Sequence, residues 1–264
     1  MGDAIPRFAA VPLKRFLDSW RSNFRLLHLS MRGIGILTTM PELFESLLPG
    51  SDQEEGTKLL ADIGEAKKEA ELAETEEKTG FPLLHAHALV GIWAALEAAI
   101  EDMLVGIMLN EPDLLKREVF AKIRVPLSDF ETKDKEERMR FLLAEVSRNL
   151  GRRNGVDTFE VLLQQFDLSG DVDEETRKLI WQTHHLRNVL VHRASRADRR
   201  LVEACPWLKL KINDEVRISH EMLRHCGEAI TGYVLTVTHR LGKRYGVDTH
   251  ELIRKAKSET KPEN

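Results

Sequence analysis

The chain has 264 residues, of which 42% are hydrophobic and 31% charged, with a net charge of −4. That length can bury a substantial core, and the composition excludes a disordered or fibrous chain. The acidic balance argues against a protein that coats nucleic acid along its whole surface, while leaving room for a local basic site.

In chain order, residues 1–50 read as short helical pieces. Leu13, Phe16, Leu17, Trp20, Phe24 and Leu27 recur at helical spacing, and Pro41 can open a second piece, "PELFESLL", that ends at Pro49-Gly50. Residues 51–78 carry ten acids against four lysines, net −6. A thin stripe of Leu59, Ile63, Ala66, Ala70 and Ala73 predicts a solvated helix that touches the body on one side. Gly80 and Pro82 punctuate the chain and suggest a boundary, which gives residues 1–80 as a helical, charged extension.

Helices are predicted over 83–110, 133–150 and about 157–166, the second closed by Gly151 and an Asn154-Gly155 turn. A long helix covers 172–195, capped by Asp171 or Asp173. "KLKINDEVRI" alternates about Asn213-Asp214 and reads as a small β-hairpin near 209–218. A last long helix covers 219–245 with Ser219 as its cap, and the tail 247–264 reads as frayed. Together these predict an all-α antiparallel helical bundle.

The first thirty residues show no apolar signal core. Pro6 occupies the Ser/Thr position of a myristoylation signal, and the longest apolar run stops at Glu97. A cytoplasmic chain with no membrane partner is expected. Cys205 and Cys226 form no CxxC pair and read as reduced thiols. His85 and His87 would point apart by about 200° on a helix, so neither a metal site nor a cofactor is expected.

The segment "HHLRNVLVHR", His184 to Arg193, holds an Arg and a His separated by four residues inside a helical pattern. With about 100° of turn per residue, Leu179, Thr183, Leu186, Leu190 and Ala194 form the predicted core stripe. His185, Asn188 and His192 form a polar stripe at i, i+3 and i+7. Arg187 falls at the border of the core, about 140° from His192. One helix does not stack this pair; a two-fold dimer with facing polar stripes would bring two Arg and two His together.

Such a set suits phosphodiester cleavage. A His moves a proton to or from the ribose 2′-OH or the leaving oxygen, and an Arg fork binds the non-bridging oxygens. Five arginines against Asp198 make residues 187–200 net +4, a reasonable phosphate footprint. The same cluster also reads as a solvated helix end. Glu97 falls inside the predicted apolar stripe of helix 83–110, where a carboxylate needs a partner, and Arg187 is the partner expected. The residues alone therefore admit two readings of Arg187 and His192: a reacting pair, or a structural Arg held by Glu97 beside an exposed His.

"RNVLVHR" at 187–193 resembles the Arg-polar-x-x-x-His signature of HEPN domains, an all-helical family. "WAALEAAIEDML" resembles the family's first helix, with Glu97 as its acidic residue, and the likeness covers about residues 81–246. The resemblance implies a homodimer in which Arg187 and His192 are catalytic, with Asn188 in the polar position and Glu97 beside them. His185, Arg193 and Arg196 would contact substrate. It implies a metal-independent endoribonuclease acting on RNA, in toxin–antitoxin or anti-phage defence, with an antitoxin or regulatory protein as partner. The alternative within the family is a non-catalytic module that binds a nucleotide or a partner.

Overall fold

The computed structural model describes residues 7–50, 53–125, 130, 133–151 and 153–249. The protein is all-α. Its helices are α1 (Arg7–Leu37), α2 (Met40–Leu47), α3 (Gln53–Thr79), α4 (Pro82–Asn110), α5 (Glu118–Ala121), α6 (Lys135–Asn149), α7 (Asp157–Gln164), α8 (Glu174–His192), α9 (Arg199–Ala204) and α10 (His220–Arg244). Among the described residues no helix is long and apolar enough to cross a membrane.

Two expectations are corrected here. The N-terminal pieces are not short: α1 runs unbroken for 31 residues, with Pro12 in its second turn. A proline there removes one backbone hydrogen bond near the helix start without ending it. The β-hairpin does not form either. Segment 195–197 pairs with the 213–216 stretch instead: Ala197 N donates to Asp214 O (2.9 Å), Asn213 N to Ala197 O (2.8 Å) and Val216 N to Ser195 O (2.8 Å). Asn213 takes a left-handed φ of 72°, as a turn residue can. Of its apolar residues Val216 and Ile218 are buried while Ile212 is exposed, and the pairing partner is the segment that leaves α8.

The described chain forms two compact units. The first contains 7–21, 89–216 and 225–249, and the second 22–88 and 217–224. The units thus divide within α1 and α4 rather than at residue 80. Gly80 and Phe81, both at positive φ, instead make the turn from α3 into α4.

In the first unit the α4 segment from Leu89 is apolar almost all round. Leu89, Ile92, Trp93, Leu96, Ile100, Met103, Leu104 and Ile107 are all buried. A helix of that character forms the middle of a core. Tyr233, Val234 and Leu241 of α10, Leu163 and Phe166 at the end of α7, and Ile180 and Leu186 of α8 are buried in the same unit. Gly227 of α10 is there for close approach: a Cβ would lie 2.3 Å from the Trp20 ring. The caps follow the sequence. Asp173 accepts from Thr176 N (2.8 Å), Ser219 Oγ from Met222 N (3.1 Å), and Asp134 forms a capping box with Glu137. Val247 and Thr249, at the start of the predicted frayed tail, are buried, and His239 Nδ1 lies 2.8 Å from Thr249 Oγ1. Residues 250–264 lie outside the described residues.

The second unit is thinner. On α3, Ile63, Ala66, Ala70 and Ala73 are the buried stripe, as the spacing predicts. Small side chains bury little apolar area, so each contact contributes modestly. Leu26, Leu29, Leu60 and Leu72 of this unit remain exposed.

Candidate functional site

All the residues singled out around "HHLRNVLVHR" lie in the first unit. The α8 helix that carries them ends at His192, two residues before Ala194 and Ser195 take positive φ values of 47° and 59°. Those left-handed residues stop the helix and turn the chain towards α9.

The buried face of α8 is rotated from the predicted one. Ile180, Gln182, Thr183, His185, Leu186 and Val189 are buried, whereas Leu179 and Leu190 are half-buried and Ala194 is exposed and off the helix. His185 is therefore corrected: it lies against the core, 8% exposed, not on an open polar stripe. Its ring packs against Trp181 at 4.9 Å and His184 at 5.4 Å. His184 in turn meets the edge of Trp93 at 5.4 Å. Burial, then the nearby His185 and Arg187, lowers the His184 pKa to about 4. Burial also lowers that of His185, against a smaller raising effect of Asp198. Packing of His184 against Trp93 of α4 thus outweighs the polar character of its imidazole.

On one side of α8, Arg187 Nη2 donates to Glu97 Oε2 at 3.4 Å and Nη1 to Asn188 Oδ1 at 3.2 Å. The Arg187–Glu97 contact is thus present, but the reason differs from the one predicted. The Glu97 side chain is 45% exposed and that of Arg187 30%. Glu97 lies on the narrow exposed edge of α4, not inside its apolar stripe. A half-solvated pair at this distance orients the guanidinium more than it stabilises the fold.

On the other side, α8 and α9 border an open groove of about 1070 Å³. Trp181, His185, Asn188 and His192 line it from α8, at i, i+4, i+7 and i+11, which is a single row along a helix. Arg193, Asp198, Arg199, Arg200 and Glu203 line it from the turn and α9. Three arginines and two acidic residues thus share the groove. Asp198 caps α9 by accepting from Leu201 N at 2.8 Å, which holds the arginines at the start of that helix in place. His192 is exposed.

The structure brings His192, Asn188, His185 and Arg193 to one groove. Arg187 is not on its wall and reaches it only through Asn188. Arg196 turns away and donates to Asn213 O at 3.5 Å. Arg199 and Arg200 were read only as part of the basic cluster, and Trp181 was missed altogether. Trp181 was legible, because it stands four residues before His185 on the same row.

Elsewhere the cysteines are both free and buried, and burial, followed by Cys226, pushes the Cys205 thiol up to about 12. Among the described residues no three His, Cys, Asp or Glu side chains converge as a metal site would require. No protein-family model, curated protein or solved structure matches this chain.

Proposed function

We propose that this protein is a metal-independent endoribonuclease of the HEPN type that acts as a homodimer. The observation that supports this reading best is the groove itself, which an exposed His192 and a half-buried Asn188 share with Arg193, Arg199 and Arg200. A phosphodiester in that groove would have cationic donors for its non-bridging oxygens and a histidine at the helix end for proton transfer. His192 would take the 2′-OH proton or protonate the leaving oxygen, and the 2′-oxygen would attack phosphorus to leave a 2′,3′-cyclic phosphate. Arg187, oriented by Glu97 and Asn188, would complete the site when a second copy brings its own α8 alongside. Such a nuclease fits a toxin–antitoxin or anti-phage role, with a cognate protein as its brake.

The test is cleavage of end-labelled mixed RNA in EDTA by the wild type and by His192→Ala. Cleavage leaving cyclic phosphate ends, and lost in the variant, is the expected result. Undiminished cleavage by the variant removes His192 from the chemistry.

One observation favours a second reading. Arg187 is already engaged by Glu97 and Asn188 and is absent from the groove wall. A module that only binds a nucleotide or an acidic partner needs the groove but not Arg187. It predicts tight binding that survives His192→Ala, with no cleavage by the dimeric wild type.

A further inference from the structure

One end of the groove is more elaborately built than phosphate binding requires. Trp181 is half-buried and fixed: its indole N–H donates to Ala204 O at 3.0 Å. Gly155, at a φ of +58°, lets the 155 backbone approach so closely that a Cβ there would lie 3.0 Å from Trp181 Cα. The indole is thus a rigid platform on the groove wall. Beside it stands His185, a groove-lining residue more than nine-tenths buried, whose Nε2 is itself shielded from solvent and has no hydrogen-bond partner. Leaving a buried ring nitrogen unpaired is costly, and such groups in native structures call for a physical explanation. A flat aromatic platform next to a histidine with spare hydrogen-bonding capacity is what a nucleobase uses, since every base has a π-face and a polar edge.

We infer that the Trp181–His185 end of the groove is a base-binding subsite, where a nucleobase carried on a phosphorylated ribose stacks on Trp181 and hydrogen-bonds His185. The assignment rests on the reading of this groove as an RNA cleft and adds to it a point of base recognition away from His192. His185 and His192 are seven residues apart on α8, about 10 Å along the helix axis. The base held at His185 therefore belongs to a nucleotide near the cleaved linkage and not to the ribose that reacts. Arg199 and Arg200, which line the same groove from α9, would take its phosphate, while Asp198 and Glu203 in that lining keep the site from being a simple anion trap.

The experiment uses the full chain carrying His192→Ala, so that the RNA survives, and reads fluorescence anisotropy. A labelled short mixed-sequence RNA is compared with an abasic ribose-phosphate oligomer of the same length. The RNA should bind about tenfold more tightly, the scale of one base–aromatic stack. Adding His185→Leu should narrow that preference severalfold, the scale of one hydrogen bond, by weakening the RNA alone, because the stack on Trp181 remains. AMP should displace the RNA at lower concentration than ribose 5-phosphate, which separates a free nucleotide's base from its phosphate. Equal affinity for RNA and abasic oligomer overturns the subsite without any variant having to fold. An undiminished preference for bases in a folded His185→Leu protein overturns the role of His185. Base-selective binding without cleavage by the wild type would sink the nuclease reading and leave the subsite. Cleavage without base preference would do the reverse.

Discussion

The two sides of α8 differ in what their polar groups have been given to do. Towards α4, Arg187 meets Glu97 and His184 meets Trp93, so the side chains are paired or packed. Towards α9, Trp181, His185, Asn188 and His192 border an open groove shared with three arginines and two acidic residues. The residues on the two sides are interleaved in sequence, a few positions apart. The comparison teaches that a short Arg-to-His spacing fixes angles on a helix, while neighbouring helices decide which side is closed and which is left free to meet a ligand.

The sharpest break between the sides is catalytic. His192→Ala should lower RNA cleavage by roughly a hundred- to ten-thousandfold, the usual contribution of a positioned general acid or base. Its thermal unfolding should be close to that of the wild type, because the side chain is exposed. Single-turnover kinetics alongside a melting curve reads both. A variant that melts early would mean that His192 belongs to the packed side after all.

The next effect lies in the core beneath both sides. Leu186 is fully buried, and Leu186→Ala should cost about 2–5 kcal/mol in denaturant unfolding. Gly155→Ala should cost less, on the order of 1–3 kcal/mol, because its added Cβ presses on Trp181 and its φ is left-handed. The informative outcome is selective. Gly155→Ala should disturb the groove, seen as a changed Trp181 fluorescence environment, while Leu186→Ala weakens the whole unit.

Acid titration probes the packed side. Burial holds His184 neutral down to about 4, whereas a histidine of the unfolded chain titrates at about 6.5. The native state favours the neutral form, so the unfolded state binds the proton first. His184 thus contributes stability that is present above about 6.5 and is lost as pH falls from there towards 4. His184→Phe should flatten the fall in unfolding free energy across that window. An unchanged slope would show that His184 is not the titrating group.

The smallest effect is expected at Glu97. Its pair with Arg187 is half-exposed at 3.4 Å, so Glu97→Gln should change stability by less than about 1 kcal/mol. A nuclease would still respond, because the freed guanidinium loses its orientation. A cleavage rate identical to the wild type would leave the Glu97 pair without a part in catalysis.

Much of the helical architecture was legible because it is written locally. Asp173 and Ser219 cap the helices they were expected to cap, since a short polar side chain can satisfy an orphan N–H without help from the rest of the fold. The α3 stripe at Ile63, Ala66, Ala70 and Ala73 follows from 3.6-residue periodicity alone. Other features could not be read this way. "KLKINDEVRI" alternates, yet alternation does not name its partner, and segment 195–197 took the place of a second hairpin arm. The candidate site was half legible: His192, Asn188 and Arg193 reach the groove, while Arg196 and Arg187 face other neighbours.

The sequence by itself determined where α3, α4, α6, α8 and α10 run, the caps at Asp173 and Ser219, and that Arg187 and His192 diverge around α8, because backbone geometry and spacing are local properties. Only the tertiary structure decided that His185 is buried, that Glu97 is exposed and that Trp181, Arg199 and Arg200 share a groove with His192. The physical reason is that burial belongs to the elements packed against a side chain: α4 closes one side of α8, and the left-handed turn at Ala194 and Ser195 swings α9 back to wall the other.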